Sequence, residues 1–139
     1  MATFTKFNNF TFALASKLHN LGADTLFAQL LNSAPVVTNS VETDLPADLS
    51  TANGYTAGGV SLGVGTLSTS GGVAKLVITD KTITASGGAI GPFRYVAILN
   101  NTAASKDLIG FIDYGSSITL ADGESLLIDF DGAAGALTI

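Results

Sequence analysis

The chain has 139 residues, no cysteine, no tryptophan, one histidine, 16 glycines and a formal net charge of -5, a length that suits one domain able to fold without a disulfide or metal clamp. Zero cysteine excludes disulfide frameworks, thiolate zinc sites, iron–sulfur ligation and cysteine nucleophiles, and a single histidine excludes multi-histidine metal centres. Hydrophobic residues make up 47% and charged residues only 12%, against about 25% charged in an average domain, which points to a neutral surface covered by neighbours in an assembly.

Residues 4–21 carry the only good helical pattern. Phe7, Phe10, Leu14, Leu18 and Leu21 recur at steps of three and four and predict one amphipathic helix. Thr3 or Thr5 would cap its start, and Gly22 would end it, with Lys17 and His19 in the last turn where the helix dipole favours cations. Phe4 and Phe12 fall off the main stripe, so this helix is apolar over more of its circumference than one fold requires. Phe4, Phe7 and Phe12 are therefore candidate interface residues.

From Thr25 the period changes to two, with Leu26, Ala28 and Leu30 alternating with Phe27, Gln29 and Leu31, before Asn32-Ser33-Ala34-Pro35 turns the chain. Residues 36–59 read as a long loop containing Pro46, the acids Glu42, Asp44 and Asp48, and the run Asn53-Gly54-Tyr55-Thr56-Ala57-Gly58-Gly59. A loop of this length is usually functional or an arm reaching a neighbour. Tyr55 within it is the fourth candidate interface residue, a ring that docks into its own fold or a partner.

The remainder predicts strands at 60–69, 74–79, 81–85, 93–99, 108–114, 116–120, 125–130 and 136–139. Gly71-Gly72, Asp80, Gly87-Gly88, Asn100-Asn101, Gly115 and Asp122-Gly123 separate them and suit tight turns. The expected fold is mainly β: a single domain over 1–139, an antiparallel β-sandwich of jelly-roll type with one N-terminal helix. No repeat of fixed period is visible, and the apolar C-terminal segment is expected to be tied into a sheet.

Candidate chemistry is sparse. His19 has Ser16 and Asp24 nearby in sequence, but nothing in the chain resembles a nucleophile elbow, and the helix-terminus reading is preferred. Gly63-Val64-Gly65 has two glycines of a dinucleotide fingerprint but lacks the third and precedes a strand, so bends or bulges explain it better. Asp129 and Asp131 would share a strand face, with Asp113 on a neighbouring strand; paired carboxylates about 5 to 10 Å apart would permit glycoside hydrolysis. Asp129-Phe130-Asp131-Gly132 also has part of a calcium loop, without the carboxylate that would complete it. Strand ends and turn caps are the default for all three. No catalytic residue, metal or cofactor is assigned.

The six basic residues (Lys6, Lys17, Lys75, Lys81, Arg94, Lys106) are scattered, so nucleic acid is not an expected partner. The apolar runs are far too short for a membrane-spanning helix, and Asn8-Asn9 interrupts any signal-peptide core, so synthesis and folding in a cytoplasm are expected.

The segments Asn53-Gly54-Tyr55-Thr56-Ala57-Gly58-Gly59, Gly91-Pro92-Phe93-Arg94-Tyr95, Gly110-Phe111-Ile112-Asp113-Tyr114-Gly115-Ser116-Ser117 and Asp122-Gly123-Glu124 follow in this order. In combination the chain resembles small β-rich virion structural proteins of tailed bacteriophages, over nearly its whole length. The resemblance implies a non-enzymatic decoration or cement protein on the capsid exterior. Its partner would be the major capsid protein, and it would associate with itself, a trimer being favoured. The alternative is a tail or fibre module that binds a host receptor or glycan.

Overall fold

Where apolar residues run continuously rather than alternating, a strand must be covered on both faces, and two such runs form the centre of this molecule. The computed structural model describes residues 3–130, 132 and 135–139. In chain order its elements are Thr3–Lys6 (β1), Phe10–Ala15 (α1), Thr25–Leu31 (β2), a short 3₁₀ turn at Glu42–Asp44, Val60–Val64 (β3), Thr66–Ser70 (β4), Val73–Val77 (β5), Lys81–Thr84 (β6), Ile90–Asn100 (β7), Leu108–Leu120 (β8), Ser125–Ile128 (β9) and Leu137–Thr138 (β10). The chain is mainly β, with antiparallel sheets and one short helix, as expected.

Five strands pair in the order β1-β8-β7-β2-β3, three in the order β10-β5-β4, and two as β6-β9. The β7–β8 hairpin is the axis of the large sheet, and its neighbour β2 lies against β7 from Leu26 opposite Asn100 to Leu31 opposite Tyr95. Residues 28–31 and 96–100 are buried without a break, so this sheet is covered on both sides. One side holds the main core, including Phe10, Leu30, Tyr55, Phe93 and Ile98. Leu76, Ile83, Ile128 and Leu137 from the two smaller sheets belong to that same core, which ties the C-terminal strand in as expected. The other side holds a smaller cluster of Phe7, Leu31, Ala97, Leu99, Leu108 and Phe111, with Leu45 and Tyr95 packed on it. Each fully buried side chain of this kind contributes roughly 1.5 to 3 kcal/mol.

The helix is much shorter than the sequence pattern predicts. Thr3–Lys6 pairs antiparallel with β8, Phe4 opposite Ile112 and Lys6 opposite Gly110, and only Phe10–Ala15 is helical. Alternation in Thr-Phe-Thr-Lys fits a strand as well as a helix, and the free edge of β8 decides between them. Lys17, at φ 66, turns the chain after the helix, five residues before Gly22. Strand boundaries also shift. The expected strand over 60–69 breaks into β3 and β4 at Gly65, where a Cβ would meet the Leu76 side chain at 2.6 Å. The two expected at 108–114 and 116–120 are one strand, kinked at Gly115 with φ 84.

The long loop is a cover, not an arm. After β2 the chain crosses from one face of the large sheet to the other: Leu45 packs on the smaller cluster, and Leu49 and Tyr55 on the main core. Bridges from Leu31 to Asp48 and from Val41 to Asp107 pin it to sheet strands and their connections.

Candidate interaction surface

The four candidate interface residues part company in the structure. Phe7 is fully buried in the smaller cluster, with its ring 5.2 Å from that of Phe111. Phe4 is half-buried against the main core and lies over Gly110, where a Cβ would meet its ring. Tyr55 is 1% exposed. Its hydroxyl donates to Asp48 Oδ1 and accepts the Leu30 N–H at 3.1 Å, while Asp48 Oδ2 accepts the Gly58 N–H at 2.6 Å. Burial is the main reason its phenol is held far above the ordinary range. The ring docks into its own fold, so it offers nothing to a partner. Only Phe12, 68% exposed on the outer side of α1, remains available.

Besides Phe12 the structure exposes Val36 and Val37, which the sequence analysis does not single out, and Leu18, expected on the apolar stripe of the helix. Leu18 follows the helix, and Val36 and Val37 lie in the loop whose Val37 carbonyl accepts the Asn8 N–H at 2.9 Å just before α1. A second group, Val64, Leu67 and Val73, projects from β3, β4 and β5. The available signal was an absence: residues 49–74 contain no Asp, Glu, Lys, Arg or His. A neutral surface with half-exposed apolar groups is suited to contact, since charged residues are what interface cores exclude.

Among the described residues, Asp113 and Asp129 are held in different settings. Asp113 receives the Arg94 guanidinium, Nε to Oδ1 at 2.9 Å and Nη2 to Oδ2 at 3.3 Å, and also the Gly115 N–H at 2.8 Å. The Arg94 hydrogen bond, helped by Gly115, holds its carboxyl below the usual range. Arg94 also lies over the Tyr95 ring, 5.2 Å from its centre. Asp129 lines a separate cleft of about 460 Å³ with Val77, Ile78, Thr79, Asp80, Phe130 and Gly132. Asp80 is already used there, accepting the Phe130 N–H at 2.7 Å. The negative charge of Asp129 acts on Tyr114, whose neighbour Asp113 points to the opposite side of β8. Asp131 lies outside the described residues. Among the described residues, no group of three or more His, Asp or Glu is placed to hold a metal ion.

His19 is not at a helix end. It sits in the connection between α1 and β2, 5% exposed, against the Phe10 ring. With the helix ending at Ala15, no dipole reaches it. Asn100 holds the ring instead: its Oδ1 accepts the Thr102 and Ala103 N–H groups, and its Nδ2 lies 3.0 Å from His19 Nδ1 and donates to Asp24 Oδ2 at 2.6 Å.

No helix among the described residues is long and apolar enough to cross a membrane. No family model, curated protein or solved structure matches the chain.

Proposed function

We propose that the protein is a non-enzymatic structural component of a tailed-bacteriophage virion, decorating the capsid exterior by binding the major capsid lattice. The observation that carries this reading is the surface: Phe12, Val36, Leu18 and Leu67 stand exposed on a chain in which charge is scarce. Such a surface favours burial against neighbours, and many weak copies on a lattice add up to firm attachment. The turn and core segments that resemble virion proteins support it from the sequence side. Assembly takes place in the bacterial cytoplasm in this reading, where a cysteine-free chain folds without redox chemistry.

Cosedimentation with particles stripped of this protein tests the proposal. Binding at a stoichiometry near that of the capsid subunits is expected. Recovery of only a few copies per particle would move the protein to the tail. The receptor-binding alternative loses support because Tyr55, the aromatic of the long loop, is buried.

A further inference from the structure

We propose that β4 is a pairing edge for a second copy of this chain, docked antiparallel about a twofold axis at Ser68. Gly71 and Gly72, at φ 58 and 80, form the two-residue turn of the β4–β5 hairpin. Ser70 and Val73 flank that turn, so they form a hydrogen-bonded pair, and alternation makes Ser68 with Lys75 and Thr66 with Val77 the next two. The far side of β5 agrees. Ala74 exchanges both backbone hydrogen bonds with Ile139, and the Leu76 carbonyl accepts the Ala136 N–H, so Ala74 and Leu76 face away from β4. Opposite those two residues stand Thr69 and Leu67, whose N–H and C=O groups therefore point out of the hairpin. Among the described residues no backbone hydrogen bond from another segment reaches either of them.

Natural edge strands are normally blunted by charge, proline, a bulge or brevity. Four other edges of these sheets have such devices: β3 is irregular opposite Leu26 and Phe27, β1 contains Lys6, β6 contains Lys81 and β10 is two residues long; the remaining edge, β9, is a four-residue strand with Ile128 buried and Leu126 half-buried. β4 has none. Its five residues are all exposed, uncharged and free of proline, and its register with β5 is unbroken.

A second copy is the occupant that fits. With a net charge of -5, two copies repel overall, but the stretch 49–74 is wholly neutral. A twofold axis at Ser68 sets Leu67 opposite Thr69 of the second copy, with hydrogen bonds in both directions, and symmetry repeats the pair. Leu67, 43% exposed on the same side as Leu76, then lies diagonal to its own equivalent, within reach of a leucine side chain. The contact is isologous and closes at two molecules instead of growing into a fibre. A five-residue ladder buries less than the ~800 Å² per partner of a standard interface, so the free chain pairs weakly. The proposal does not rest on the virion reading.

Sedimentation velocity from dilute to near-millimolar chain tests it, together with amide exchange at Leu67 and Thr69. The expected result is a concentration-dependent dimer in which those two amides become protected. Ser68→Lys and Ser68→Glu each weaken it several-fold by placing like charges face to face, and mixing the two variants restores it. Ser68 is exposed, so both variants should melt near the wild-type temperature; if either does not, amide protection in the wild type decides alone. A wild type that stays monomeric throughout, a dimer that leaves the two amides unprotected, or variants that dimerise unchanged would overturn the proposal. Particle cosedimentation is unaffected by that failure.

Discussion

The Asn100 carboxamide holds the His19 ring by Nδ1 at 3.0 Å and so fixes its protonation state. Because Asn100 Oδ1 accepts two backbone N–H groups, its nitrogen is the donor towards the imidazole, and Nδ1 must be an acceptor. The ring is therefore neutral with its proton on Nε2, which is buried with no hydrogen-bond partner among the described residues. A second proton would set donor against donor.

His19 consequently makes stability depend on pH near neutrality. Removal from water pushes its pKa below 6.5, outweighing the opposing carboxylates of Asp107 and Asp24. The folded state then binds fewer protons than the unfolded chain, so its contribution is complete above pH 6.5 and is lost as pH falls through 6.5 towards the lower folded value. The melting temperature is expected to fall between pH 7.5 and 5.5, above the range in which the carboxylates titrate. As the sole histidine, His19 can be followed by NMR, and an imidazole that titrates at or above 6.5 would contradict this account. His19→Gln should flatten the dependence.

Tyr55→Phe removes a hydroxyl that serves both Asp48 and the Leu30 N–H. The two partners stay buried or half-buried with less to bond, which costs about 1 to 3 kcal/mol. Denaturant unfolding should show that loss, with the folded structure retained. A cost near zero would mean that the loop over 36–59 is not anchored through this ring.

Gly110→Ala should release β1. A Cβ at Gly110 would run into the tip of the Phe4 ring and lie 2.7 Å from the Thr5 carbonyl, and the latter is backbone that cannot turn aside. Overpacking of this kind costs roughly 1 to 3 kcal/mol. Amide exchange in Thr3–Lys6 should accelerate well ahead of exchange in β7.

Phe12→Ser tests the exposed patch directly. The ring is 68% exposed, so the melting temperature should change little, while binding to stripped particles should weaken. Unchanged binding by a double Phe12→Ser, Leu18→Ser variant would place the lattice contact elsewhere.

The turns were the most legible part of the sequence, because Gly71-Gly72 and Asp122-Gly123 signal a backbone shape that few other residues accept. The β class and the tethered end at Leu137 followed from alternation. The helix did not. Phe7, Phe10 and Leu21 have helical spacing but are buried from three different segments, and Leu18 at the same spacing is 45% exposed. Periodicity records which residues are apolar, whereas the partner strand decides how the backbone runs. For Tyr55 the sequence left its own fold and a partner open, because a glycine-flanked, polar stretch does not show that Asp48, seven residues before it, and Leu30 on β2 supply its hydrogen bonds. The pairing of Arg94 with Asp113 depends on strand register and had no signature in sequence.

The β1–β8 pairing also sets a timetable for synthesis. Thr3 meets Asp113, so the strand made early waits for a partner translated more than a hundred residues later. At about 5 to 20 residues per second that delay lasts roughly 5 to 20 s. Meanwhile Phe4 has no sheet to lie on, and β8 leaves the ribosome with one edge open. Closure of the large sheet is thus a late event whose success depends on the nascent segment remaining unclaimed by other chains.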